Sequence, residues 1–233
     1  MLTHALQVVL QRLHNAARDA GRPTPALLAV SKLQPAAAVA ALAAEGQRAF
    51  GENYVQEAQG KQAELAGDPH AGAIEWHLIG HLQSNKAALA ATLFDWVQTV
   101  DRAKLIPLLA AARPADRPSL NVLIQVNVDD EASKHGCRPE DAAALAHLVA
   151  GEPRLCLRGL MAIPAPLPDL ERRRDAFRRM KTLFDTIAAR HPTMDTLSMG
   201  MSEDFALAIA EGATMVRIGT ALFGARPRKD MQA

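Results

Sequence analysis

Short apolar runs that alternate with longer stretches of 3.6-residue periodicity predict an α/β protein with a parallel sheet. Eight such units within 233 residues predict a single (β/α)8 TIM-type barrel with an additional N-terminal helix, because barrels of this kind run to about 250 residues. Residues 1–233 are therefore read as one domain, with no room for a second core. A doubly wound open sheet shares the alternation and is the competing topology.

The first element is a helix between Met1 and Gly21, where Leu2, Leu6, Val9, Leu10 and Leu13 fall at helical spacing. Gln7, Gln11 and Arg12 interrupt any signal-peptide core, and Asp19 with the direct run into a strand argues against a mitochondrial presequence. Strands are expected at Leu27–Ser31, Arg48–Gly51, Ile74–Ile79, Trp96–Val100, Leu120–Val128, Leu155–Met161, Thr196–Met199 and Met215–Ile218. Helices are expected between them at Pro35–Glu45, Tyr54–Ala66, Asn85–Leu93, Arg102–Ala112, Pro139–Ala150, Pro168–Arg190 and Glu203–Glu211, several with proline in the first turn. The eighth unit stops near Gly224, so the N-terminal helix is expected to cover the wall that a full eighth helix would otherwise cover.

Composition narrows the functional classes. Lys plus Arg number 26 and Asp plus Glu 25, so charge gives no case for nucleic acid or an anionic membrane as the main partner. The basic run from Glu171 to Lys181 carries Leu170, Phe177, Met180 and Phe184 at helical spacing, which reads as a solvated outer face of a barrel helix. The apolar run 36–44 is too short to span a bilayer. Cys137 and Cys156 form no CxxC motif, and a reduced, cytoplasmic protein is the simplest reading.

Chemistry-bearing residues gather at the expected carboxyl ends of the strands, where barrels assemble their sites. The first strand runs into Lys32, an amine that can attack a carbonyl and form a Schiff base if it is desolvated, or an ordinary solvent lysine if it is not. Strand alternation in MVRI puts Val216 and Ile218 toward the helices and Arg217 toward the barrel interior. A guanidinium there needs an acceptor, either a carboxylate such as Asp204 or Glu52 or a ligand. Two small-residue turns, from Ser198 to Ser202 and at Gly219–Thr220, can present backbone N–H groups to an anion. Ser202 also suits a plain N-cap. Asn53 reads as a neutral hydrogen-bonding group beside a ligand or as a turn asparagine. His77 and His81 have the spacing of a helical metal pair, but the segment reads as strand and turn and lacks the Glu of HExxH.

A strand-end lysine, a phosphate cradle after strands seven and eight and an inward arginine together describe a site for a phosphorylated aldehyde. Pyridoxal 5′-phosphate meets that description, with Arg217 donating to the pyridine nitrogen and the phosphate on the amides of Ser198, Gly219 and Thr220. Schiff-base aldolases use similar parts on this fold without an acceptor for such an arginine.

The segments LLAVSK, FGENYVQE, WHLIGHLQSNK, RGLMAIP, LSMGMSEDF and MVRIGTALFGAR occur in this order. In them the chain resembles the pyridoxal phosphate homeostasis family, also called the YggS/PROSC family, related to the N-terminal domain of alanine racemase. The resemblance implies a cofactor-binding barrel with Lys32 as the covalent attachment point and Asn53, Ser198, Arg217, Gly219 and Thr220 as cofactor contacts. It also implies a role in intracellular vitamin B6 homeostasis without catalytic turnover, with apoenzymes that use the cofactor as recipients. A weak amino-acid racemase and a Schiff-base aldolase are the alternatives. Racemases of the related fold take one acid/base tyrosine from a second domain, whereas the sole tyrosine here is Tyr54. A monomer is expected, because no dimerising domain is evident.

Overall fold

The computed structural model describes residues 2–129, 134–165 and 167–224. Met1, Pro166 of the proline-rich loop 164–168, and Ala225 and Arg226 at the end of the last motif lie outside the described residues. Eight parallel strands close into a barrel in sequence order. They are β1 (Ala26–Val30), β2 (Ala49–Glu52), β3 (Glu75–Leu78), β4 (Trp96–Val100), β5 (Leu120–Val126), β6 (Leu155–Ala162), β7 (Thr196–Ser198) and β8 (Met215–Ile218). Closure is made by β1 against β8, with Leu28 opposite Arg217. The open-sheet alternative is thereby excluded.

The described helices are α1 (Leu2–Asp19), α2 (Ala36–Ala44), α3 (Val55–Glu64), α4 (Ala87–Leu93), α5 (Leu105–Ala112), α6 (Ala142–Ala150), α7 (Leu170–Ala188), α8 (Phe205–Ala210) and α9 (Thr220–Phe223). The apolar stripe of α1 is buried through Leu6, Val9, Leu13 and Ala17. That stripe packs on α2, α8 and α9, the last two of which are short, and Arg12 lies 5.0 Å over the Phe205 ring. The N-terminal helix therefore replaces missing barrel wall, as expected. Most buried side chains form one continuous core between strands and helices, while Trp96, Leu123 and Met161 make a small separate cluster inside the barrel.

Two sequence expectations shift. On α7, Phe177, Met180 and Phe184 are buried, but Leu170 is 63% exposed, because it sits in the first turn, before the helix meets the barrel. The helix between β7 and β8 begins at Phe205 rather than Glu203: the Asp204 carboxylate accepts from Met201 N–H at 2.7 Å and holds the preceding residues in a turn. Ser202 is thus outside the helix and is not its cap.

Candidate functional site

At the carboxyl end of the barrel a cavity of about 320 Å³ is lined by Lys32, Asn53, Arg217, Gly219 and Thr220, with Val30, Ile79 and Ile163 among the apolar residues of its wall. Five of the six residues singled out from sequence thus share one site. Its size is at the lower end of the range for small-molecule pockets, roughly 300–1,000 Å³.

Lys32 owes its position to a strained turn. β1 ends at Val30, Gln34 N–H donates to the Ser31 carbonyl at 3.0 Å, and Leu33 takes a φ of 63°. A non-glycine residue in that region costs about 1–3 kcal/mol and persists only where surrounding contacts impose it. Here α3 imposes it. The Glu57 carboxylate accepts from Leu33 N–H, and Lys61 Nζ donates to the Ser31 carbonyl at 2.7 Å. Lys61 also donates to Glu52 Oε1 at 2.7 Å and Glu57 Oε1 at 2.8 Å, while Ser31 Oγ donates to Glu52 Oε1 at 2.6 Å. Lys61 and Glu52 are both buried. Burial pushes the Glu52 carboxyl up, against the opposing pull of Lys61 and Ser31. Lys32 therefore stands between two residues clamped from behind, half-buried at the cavity wall.

Asn53 is placed by a close backbone approach. A Cβ added to Gly80 would lie 2.0 Å from the Asn53 carbonyl oxygen, so only glycine after β3 lets the end of β2 settle against it. Gly200 is the second such position, with a φ of 91° and Ala208 Cβ at 2.6 Å from any added Cβ. It turns the chain after β7 so that Met201 and Ser202 reach the same cavity wall as Gly219 and Thr220.

Arg217 points inward from β8, as the strand alternation requires, and is 4% exposed. Its Nη1 donates to Ser198 Oγ at 2.7 Å and its Nη2 to the Ala162 carbonyl at 2.8 Å. Among the described residues it forms no ion pair. The two carboxylates considered from sequence are used elsewhere, Glu52 by Lys61 and Asp204 by the Met201 amide. Burial pulls the guanidinium down to about 10, with Asp204 partly opposing. It remains charged at neutral pH and is poorly compensated.

Ser198, the sixth candidate, is fully buried behind Arg217 and is not among the residues of the cavity wall. It starts a hydrogen-bonded line through the barrel interior. Its hydroxyl accepts from Arg217 and donates to Gln98 Oε1 at 2.8 Å, and Gln98 Nε2 donates to His77 Nδ1 at 3.0 Å. His77 is fully buried and stacked on Trp96 with ring centroids 5.0 Å apart. Burial lowers its pKa, with Glu75 opposing. The line fixes the Arg217 rotamer from below. His77 thus lies inside the barrel while His81 is on the surface, so the spacing-based pair is not brought together. Tyr54, at the N-cap of α3, is 61% exposed and does not reach the cavity wall.

Sequence reasoning missed Lys61, Glu57 and Gln98. Glu57 and Lys61 were detectable as an i,i+4 pair on a helix. Gln98 was detectable as an amide inside the strand WVQTV, where a buried polar group needs partners.

The model of the alanine racemase N-terminal domain family matches residues 5–227. The pyridoxal phosphate homeostasis protein of Pseudomonas aeruginosa is 54% identical over 220 residues, covering 94% of this chain and 93% of its own length. That of Escherichia coli K12 is 49% identical over 227 residues, covering 97% of each. Among solved structures, PipY of Synechococcus elongatus with PLP bound superposes with a TM-score of 0.82 at 36% identity, covering 96% of this chain and 100% of its own.

Proposed function

The chain belongs to the pyridoxal phosphate homeostasis family built on the alanine racemase N-terminal domain, and from that premise we propose that it binds pyridoxal 5′-phosphate through Lys32 and buffers it without catalytic turnover. The observation that carries this reading is the pairing on one cavity of a positioned amine with a buried guanidinium that has no carboxylate partner among the described residues. The cofactor, when bound, supplies an electrophilic aldehyde that condenses with a primary amine. Its remaining features match the donor set: a phosphate for turn amides and an aromatic nitrogen for a guanidinium.

Each residue then has a physical task. Lys32 holds the group covalently, and the clamp of Glu52, Glu57 and Lys61 keeps its backbone from relaxing. Arg217 offers N–H donors and a charge in a desolvated place, where both are worth more than in water. Gly219 and Thr220, with the turn at Met201 and Ser202, present backbone to the phosphate, and Asn53 contributes a neutral amide. Ser198 acts through Arg217 by orienting it.

The reading without turnover rests on the acid/base groups of the cavity wall, which among the described residues include Lys32, Glu203 and Asp204, the last held by the Met201 amide, but no tyrosine. Racemisation needs a second proton-transfer group opposite the lysine, and the sole tyrosine is exposed outside the cavity. An arginine at the ring nitrogen would also leave that nitrogen unprotonated and weaken the ring as an electron sink, which counts for less than the placement of the tyrosine. The same reading has the protein acting as a monomer in the cytoplasm, where apoenzymes receive the cofactor. Two free cysteines accord with a reducing compartment, and no described helix is long and apolar enough to cross a membrane.

The test is borohydride reduction of cofactor-loaded protein followed by peptide mapping. A pyridoxyl group on Lys32 is expected, and the Lys32→Ala variant should carry none. Equal covalent loading of that variant would overturn the assignment. Rapid α-proton exchange of amino acids in deuterated water by the loaded protein would favour a racemase instead.

A further inference from the structure

Outside this cavity, barrel closure brings together three side chains that are far apart in the chain. His81 follows β3, Asp101 follows β4 and His135 lies between β5 and α6, all at the carboxyl-end rim. One ligand atom from each lies within 4.8 Å of the others. The two imidazoles stack with centroids 3.8 Å apart and planes 16° from parallel, and His81 Nδ1 is 3.6 Å from Asp101 Oδ2. The other carboxylate oxygen, Oδ1, accepts from Arg102 Nη1 at 2.6 Å, and Arg102 is held by the Leu82 carbonyl at 2.7 Å. Arg102 thus occupies one oxygen and leaves the second facing the histidines.

We propose that His81, Asp101 and His135 form a binding site for a divalent transition-metal ion of the zinc or nickel class, with its remaining positions filled by water. Two imidazoles and one carboxylate match the donor preference of such ions, whereas magnesium and calcium favour all-oxygen sites. Zinc lies about 2.0–2.2 Å from nitrogen and oxygen ligands, so two donors in a tetrahedral array stand roughly 3.3–3.6 Å apart. A pair at the limit of the observed separation must therefore close by roughly 1.2–1.5 Å. Both histidines are exposed, so each ring can turn about its Cβ–Cγ bond and splay from the stack until the nitrogens converge. The Arg102 charge beside Asp101 weakens the site, so binding belongs in the micromolar class rather than with closed structural zinc sites.

The experiment is titration of tag-free, cofactor-loaded protein with Zn²⁺ by calorimetry, paired with the visible absorption of added Co²⁺. One saturable ion per chain in the micromolar range is expected. Affinity should fall at least tenfold in His81→Ala and in His135→Ala, and less in Asp101→Asn, with the melting temperature in chelator unchanged. Saturation only in the millimolar range, or an affinity unaltered in His135→Ala, would overturn the proposal. Because none of the three lines the Lys32 cavity, borohydride labelling of Lys32 should persist in all three variants, which separates failure of this site from failure of the cofactor reading.

Discussion

Lys61, behind the ends of β1 and β2, and Arg217, inside β8, are both buried cations near the mouth of one barrel, yet their surroundings differ. Lys61 touches two carboxylates and a backbone carbonyl. Arg217 touches a serine hydroxyl and a carbonyl. A buried charge that is fully compensated by its own chain serves the fold, because removing either partner strands the other. A buried charge given only neutral partners is held ready for a partner from outside. The contrast separates scaffold from binding group at a site where both are basic, both are buried and neither is near the surface.

The largest expected effect tests the scaffold half. Lys61→Met leaves Glu52 buried without its cation and should cost about 3–5 kcal/mol of unfolding free energy in urea. Adding Glu52→Gln should recover part of that loss. A stable Lys61→Met protein that merely binds cofactor poorly would reverse the roles assigned to the two cations.

Arg217→Met tests the other half. It should change stability by no more than about 1 kcal/mol, because relief of a desolvated charge offsets the loss of two hydrogen bonds. Cofactor retention should fall about ten- to a hundredfold, the equivalent of a charge-assisted hydrogen bond worth about 1.5–3 kcal/mol. Dialysis of loaded protein, followed by absorbance, measures it. Retention equal to that of the unaltered protein would break the comparison.

A buried titratable group should also show in pH dependence, at the floor of the same hydrogen-bonded line. His77 has a folded-state pKa below its ordinary 6.5 because it is buried. The unfolded chain therefore binds the proton first, and stability should fall as pH drops below about 6.5, by at most about 1.4 kcal/mol per unit. His81 shifts in the same direction, so thermal melts from pH 7.5 to 5 should be compared for unaltered protein, His77→Gln and His81→Ala. An unchanged slope in His77→Gln would remove His77 as the cause.

The smallest effect belongs to a pair at the opposite rim. Arg158 donates to Asp195 at 2.5 Å, but the carboxylate is 57% exposed. The Asp195 pKa is lowered: burial raises it, and the Arg158 and Thr196 hydrogen bonds outweigh that. The corresponding stability is present above about pH 4 and is lost as pH falls through the folded value. Asp195→Asn should cost only about 0.2–1 kcal/mol at neutral pH, and a loss as large as that for Lys61→Met would mean that burial does not govern the difference.

How much could be read in advance follows from how far apart the interacting residues lie. Lys32, Asn53, Arg217, Gly219 and Thr220 were legible because each occupies the carboxyl end of a strand or the turn after it, and barrel geometry sends all such positions to one face. Arg217 facing inward followed from two-residue alternation. Ser198 was assigned to the correct strand end, but its depth was not readable. Whether a side chain lines a cavity or supports the residue that does depends on the stagger of neighbouring strands. His81 is the sharpest case: its sequence neighbour His77 points into the barrel, and the ring it meets belongs to His135, beyond two further strands.

The order of residues alone determined the eight alternating units, the helix that completes the wall and the set of strand-end side chains, since these depend on local periodicity and turn chemistry. Only tertiary structure decided which cation receives carboxylates and which is left with neutral donors and acceptors. That choice is made when β8 closes on β1 and α3 packs behind the ends of β1 and β2. Desolvation and Coulomb attraction act over a few ångströms of space, a distance that chain separation does not encode.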